Sequence, residues 1–374
     1  MSKIGKFYSD LPEHSQVKVR LLTLYLTKYI NTIANDRYTR SIHIYDLFCG
    51  EGIYANGAKG SPLMILDVVT QIIETYTENG VEIPHIYLVF NDKDKRKTDK
   101  LKSIIESMDF NIGRYCTIKI ISQDYTELVP SIVKQINQFS NEKAFVFIDP
   151  NGYSEISCRD LQNMLNTNKS EVLLFLPTQH MYRFSKKGTP QSLIRLLDEL
   201  IDIEQWKIST SAYDFIQQLT NALRTFLGTR YFVDTFTIEK DPQTMYCLFF
   251  FSSHIRGFEK MLEAKWEIDS EQGRGYSYEK SIGLFASLKI DPLADKLQLW
   301  LKECVRHNGE VYEFGLQHGF LPKHVNEVLT DWQEHGLIEV RTEDGKAVRK
   351  KAFYINYDNS LKKPMHRVFF HIKG

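Results

Sequence analysis

Five short apolar runs recur along the first half of the chain, each followed by residues of helical periodicity, and this alternation narrows the fold more than any other feature. The runs begin at Ile42 and then occupy 85–90, 116–121, 143–148 and 171–176; the helical stretches between them fall at 62–77, 95–109, 128–137 and 158–165. Strands alternating with helices at this spacing build a doubly wound parallel sheet. Runs as continuous as VLLFL suit strands buried on both faces.

The first run, within SIHIYDLFCGEGIYANGAKGSP (41–62), enters a glycine turn at Gly50-Glu51-Gly52. Glycine lets the backbone approach a ligand closely. Four runs end in an acid at or just past the last apolar residue: Asp46, Asp92, Asp124 and Asp149. In open α/β sheets ligands sit outside the carboxyl ends of the strands, so these acids are expected to converge on one crevice. They could in principle hold Mg²⁺ for hydrolysis of nucleic acid, but a nuclease leaves the glycine turn unexplained. An amphipathic helix at 15–34 precedes the sheet, with His14 and Lys18 expected to be a solvated helix start.

Beyond the fifth run, residues 178–229 read as a mostly helical insertion, and 230–239 and 245–252 form an antiparallel hairpin around Asp241-Pro242-Gln243. A parallel five-stranded sheet finished by such a hairpin is the layout of class I methyltransferases: a Rossmann-like, seven-stranded α/β sheet. A dinucleotide-binding sheet would end parallel. Three further helices at 293–304, 311–318 and 323–335 precede a strand at 336–340, a turn at Glu343-Asp344-Gly345 and a return at 348–357. That is a winged helix-turn-helix, with the third helix as groove reader and Lys346, Arg349, Lys350 and Lys351 around the wing. The expected domains are therefore 1–290 and 291–374.

Lys plus Arg and Asp plus Glu balance at 47 each, so charge alone gives no ground for inferring a nucleic-acid partner. Five scattered cysteines argue against a disulfide framework or a zinc site and fit a reducing, cytoplasmic setting. The apolar runs are too short to span a bilayer, and the first fifteen residues lack the apolar core of a signal peptide.

The segments EHSQVK, YDLFCGEG with GSPL following, FIDPNG and MYCLFFFSSH, in that order, resemble the three-Cys-motif partner (TcmP) proteins from about His14 to the winged-helix end. The resemblance implies an S-adenosylmethionine (SAM) methyltransferase encoded beside a three-cysteine protein, often in a mobile-element or phage-defence setting. It implies that Asp46, Phe48, Gly50 and Gly52 surround the methionyl end of SAM. Asp92 would accept hydrogen bonds from the ribose hydroxyls, with Asp94 as competitor, and Asp124 from the adenine amino group. Asp149 would head the catalytic loop as a base or substrate ligand, with Tyr153 stacking a planar substrate. His180 and Arg183 are open between the acceptor side and plain surface, and Cys49 reads as a small buried residue.

The string Asp149-Pro150-Asn151-Gly152-Tyr153 departs from the Asp/Asn-Pro-Pro-Tyr/Phe of base amino methyltransferases and carries Asn151 where the family usually has an aromatic. The alternative is therefore an inactive methyltransferase-fold scaffold that pairs with the three-cysteine protein and binds DNA or protein through its winged helix.

Overall fold

The apolar runs become the strands of one sheet. A computed structural model describes residues 13–108, 113–186, 189–201, 206–277 and 292–373. The chain divides into two compact units, Met1–Lys260 with Arg274–Ile282, and Met261–Gly273 with Gly283–Gly374. The expected domain boundary at 290/291, the end of the 95–109 helix and the chain before residue 13 lie outside the described residues.

In the first unit, helix α1 (Glu13–Ala34) leads into β1 (Ser41–Asp46), α2 (Ser61–Glu78), β2 (His85–Asn91), α3 (Lys95–Ser107), β3 (Cys116–Ile121), α4 (Tyr125–Gln138) and β4 (Glu142–Ile148). Helix α5 (Cys158–Leu165) and β5 (Ser170–Leu176) complete the parallel part. Among the described residues the insertion holds helices α6 (Thr178–Lys186), α7 (Gln191–Asp198) and α8 (Ala212–Leu227). The hairpin β6 (Phe232–Asp241) and β7 (Thr244–Ser252) follows, then α9 (Ile255–Ile268), whose residues from Met261 on belong to the second unit, and a three-residue strand β8 (Gly275–Ser277).

The strand order is β3-β2-β1-β4-β5-β7-β6-β8, with β7 antiparallel to both β5 and β6. This is the seven-stranded class I methyltransferase sheet, extended at its edge by β8, which runs parallel to β6. The β-strand period of two splits each buried strand between two helical layers. Ala144, Val146 and Ile148 of β4 join the core under α4, α5 and α8, while the Phe145 ring meets Tyr25 and Tyr29 of α1 at 5.4 and 5.8 Å. That division is why residues 144–148 are apolar at every position.

Helix α1 is fastened by a buried polar contact as well as by rings. The Tyr25 hydroxyl donates to Glu171 Oε2, and Ser252 Oγ lies 2.6 Å from Glu171 Oε1. Burial pushes the Glu171 carboxyl up to about 7, against the opposing pull of the Ser252 and Tyr25 bonds. A protonated Glu171 suits the geometry, because Ser252 has one hydroxyl proton and a second acceptor, His254 O, at 3.1 Å.

The second unit holds α10 (Pro292–Glu303), β9 (Arg306–His307), α11 (Asn308–Gln317), α12 (Pro322–Glu334), β10 (Ile338–Thr342), α13 (Tyr357–Ser360) and β11 (Val368–Ile372), a winged helix-turn-helix with sheet order β10-β11-β9. Trp266 also belongs to it, donating from Nε1 to Gly319 O at 2.9 Å. The return strand is not at 348–357 as expected. Pairing beyond the turn stops at the isolated bridge Arg341↔Ala347, and Lys351 and Tyr354 adopt φ of 64° and 55°, which extended pairing cannot accommodate. Strand β11 takes the place beside β10 instead.

A raised carboxyl pKa stabilises the fold at low pH: the contribution of Glu171 is fully present below its ordinary value of 4.5 and is lost as pH rises through about 7. Urea midpoints measured from pH 4.5 to 8 should therefore fall more steeply for the wild type than for Glu171→Gln. Equal slopes would show that folding does not raise the Glu171 pKa.

Candidate active site

Parallel pairing aligns the carboxyl ends of the central strands. Asp46 on β1 stands opposite Phe90 of β2 and Phe147 of β4, so the loops after all three leave from one rim. Asn91 ties that rim together: its Nδ2 donates to Leu47 O and Gln123 O, each at 3.1 Å, and its Oδ1 accepts from the Gln123 amide at 3.0 Å. One buried amide thus fixes the ends of three strands. Above the rim lies an open cleft of ≈ 500 Å³, lined by Phe48, Gly50, Gly52, Asp92 and Asp149, with Ser15 and Lys18 contributed by α1.

Asp46 lies beneath the cleft rather than on its surface, with no exposed area. It accepts from Ser61 Oγ at 2.6 Å and from the Phe48 amide at 3.4 Å. Burial pushes its carboxyl up to about 7; the Ser61 bond opposes this and Asp149 adds to it. Asp46 therefore joins the glycine loop to the start of α2.

The loop closes on itself through the Gly60 amide to Gly52 O at 2.7 Å. Gly50 and Gly52 have φ of +63° and +83°, the left-handed region that glycine enters without strain. A Cβ on Gly50 would project into open space, leaving a backbone edge free to approach a ligand, whereas one on Gly52 would meet Leu101 Cδ1 at 2.6 Å.

Asp92 follows β2 and is 7% exposed, its Oδ1 accepting from the Asp94 amide at 2.9 Å and its Oδ2 lying 3.4 Å from Lys97 Nζ. Asp94 is the N-cap of α3: it accepts from the Arg96 amide and pairs with the Arg96 guanidinium at 2.8 Å, which holds its carboxyl down at about 2. Of the two competing acids, only Asp92 lines the cleft. Asp124 is not among the cleft-lining residues. It caps α4, accepting from the Thr126 hydroxyl and amide, and those bonds lower its pKa. Cys49 is buried, and burial pushes its thiol far above the ordinary range.

Asp149 carries a partner that the sequence reading placed in solvent. Lys18 Nζ lies 2.5 Å from Asp149 Oδ2, with the two side chains 11% and 18% exposed, and 4.6 Å from the Phe175 ring centroid. Burial alone would lower the lysine pKa, but Asp149, Tyr54 and Asp46 outweigh it and hold it above the ordinary value. The expectation of a solvated helix start therefore fails for Lys18. Its position showed as much: Lys18 shares the i, i+4, i+7, i+11 stripe of Leu22, Tyr25 and Tyr29, the buried face of α1.

Tyr153 lines a second cavity of ≈ 550 Å³ with His180 and Arg183 from α6. Its ring is 6.2 Å from that of His180, it is 6% exposed, and burial raises its pKa against a hydrogen bond with Ser192. Arg183 donates to Gln243 O at 2.9 Å. The two cavities share Asn151, Pro177 and Tyr246, so they meet at the loop after β4.

Strand order and the rim cleft define the first unit as a class I methyltransferase fold. A family model described as a GMT-like wHTH domain matches residues 267–345, in the winged-helix part of the chain. Comparison with curated proteins gives no match. Among solved structures, the chain is similar to a Listeria monocytogenes protein described as a class I S-adenosylmethionine-dependent methyltransferase, at 9% identity and TM-score 0.31, over 66% of this chain and 64% of that one. It thus spans just under two thirds of that relative. It is also similar to the loganic acid methyltransferase with SAH (11% identity, TM-score 0.32, 78% of this chain and 88% of that one). The Bacillus cereus O-methyltransferase in complex with SAH gives 12% identity and TM-score 0.32 over 67% and 86% of the two chains.

The two loop glycines should respond differently to alanine. Gly52→Ala adds a steric clash to backbone strain and should cost about 2–4 kcal/mol of stability. Gly50→Ala meets only the strain and should cost about 1–2 kcal/mol. Chemical denaturation of both variants checks the order.

Proposed function

We propose that the chain is a SAM-dependent methyltransferase of the TcmP kind, transferring methyl to nucleic acid or to a component of a complex with a three-cysteine partner. The supporting observation is the rim cleft, where a glycine edge open to solvent, the Asp92 carboxylate and the Lys18–Asp149 pair face one volume. Those residues suit the cofactor's parts. A glycine backbone edge accepts close approach of a chain such as the methionyl group, and a carboxylate after β2 can accept from a ribose diol. SAM supplies the activated methyl carbon, and the protein's task is alignment.

In this reading Asp46 braces the loop from below, Phe48 walls the cofactor, and Asp124 reaches the adenine only with the carboxylate capacity that Thr126 leaves unused. The second cavity, with Tyr153, receives the acceptor. A cytoplasmic location and a mobile-element or phage-defence role belong to the same proposal; among the described residues no helix is long and apolar enough to cross a membrane.

Titration calorimetry with SAM tests the reading. Wild type should bind, and Asp92→Ala should weaken binding by about 10- to 100-fold, the scale of hydrogen bonds to a charged acceptor. A well-folded wild type that gives no heat would sink the proposal.

A non-catalytic scaffold is favoured by Asn151-Gly152 in the loop after β4 and by the winged-helix surface. The solvent face of α12 presents Lys323 against Glu327, Asp331 and Glu334, and two wing cations already face acids: Lys351–Glu334 at 3.0 Å and Lys346–Asp344 at 2.6 Å. With acids and cations nearly balanced, this face gives phosphates no net attraction, so this unit is proposed to dock protein rather than enter a DNA groove. Gel-shift assays at about 50 mM salt should show no retarded duplex. A retarded duplex that dissolves steeply with added salt would restore the groove-reading role.

A further inference from the structure

The amino end of α1 gives the cleft what its strand-end acids lack, a buried cation. Lys18 Nζ contacts Asp149 Oδ2 at 2.5 Å, and both residues line the cleft close to where it meets the second cavity. An ammonium has three N–H donors, of which this contact uses one. Asp149 in turn keeps Oδ1 as a further acceptor. Contact with the Asp149 carboxylate opposes the effect of burial and keeps the lysine above its ordinary value, so it stays charged through neutral pH.

The charge that develops on an acceptor decides what such a pair can serve. A neutral nitrogen turns cationic as it takes a methyl group from a sulfonium, and a fixed ammonium beside it opposes that change. A hydroxyl oxygen instead gains negative character as its proton leaves, which the ammonium favours and the carboxylate assists. The loop itself, Asp149-Pro150-Asn151-Gly152, offers no second proline and no adjacent aromatic to clamp a base by its amino edge.

We infer that the methyl acceptor is a hydroxyl oxygen, selected by Lys18 and deprotonated by Asp149. The inference rests on the methyltransferase reading above and names the acceptor of that same site. In the transfer, an oxygen lone pair forms the new O–C bond. The methyl C–S bond breaks with its electron pair retained on sulfur, giving a neutral thioether. The hydroxyl proton passes to Asp149 Oδ1 and from there to water. Lys18 donates to the reacting oxygen and holds Asp149 Oδ2 in place.

The full chain is incubated with [methyl-¹⁴C]SAM and, separately, with total RNA, DNA, protein and small-molecule fractions of a cell extract. Labelled product is digested and its methyl linkage identified by mass spectrometry, while SAM affinity is measured by calorimetry on the same preparations. The expected product is an O-methyl ether. Lys18→Met should still bind SAM in calorimetry and, at saturating SAM, lose transfer by about 100-fold or more, the scale of a lost acid–base or oxyanion contact. Lys18→Arg, which keeps the charge, should recover part of the rate. An N- or C-methyl product, full transfer by Lys18→Met, or SAM binding with no label in any fraction would overturn the inference. Absence of SAM binding by the wild type would instead remove the methyltransferase reading beneath it.

Discussion

Parallel pairing of β1 with β2 on one side and β4 on the other is the constraint from which the rest of the site follows. Because the three strands run the same way in register, their carboxyl ends finish at one level, and Asp92 and Asp149 open onto the same volume. The fixed register also lets a single side chain, Asn91, bond the ends of its neighbours. Had any of these strands been reversed, its acid would lie at the opposite edge of the sheet.

Two buried carboxyl groups occupy opposite ends of this sheet and do different work. Asp46 lies under the cleft, where Ser61 and the Phe48 amide hold it, so that the glycine loop is braced by a group no solvent reaches. Glu171, at the start of β5, fastens α1 through Tyr25. Both are pushed toward neutrality by burial. The fastening matters for the cleft because α1 also carries Ser15 and Lys18 to it. A helix outside the strand-and-loop pattern therefore supplies half of the ion pair at the end of β4.

The second unit shows how local turn signals can mislead. Glu343-Asp344-Gly345 does form a turn, and the chain does come back for a residue or two beyond it. The lasting partner of β10 comes from twenty residues further on, in VFFHI of β11, whose alternating burial matches its half-buried place in the small sheet. Sequence spacing located the turn but not the strand that closes the sheet.

The sequence alone determined the strand–helix alternation, the antiparallel ending, the glycine turn and the level at which the acids stop. Each of these depends on near neighbours: apolar period, chain direction, and φ angles only glycine adopts freely. Tertiary structure decided which acids share a cleft. Asp124 and Asp94 turn to the amides of their own helices, because a carboxylate at an N-cap finds donors two residues away. Lys18 and Asp149 meet across 131 positions of sequence, and no local pattern encodes a contact made only when α1 packs against the sheet. Burial then sets the charge each group carries, and burial is a property of the folded chain.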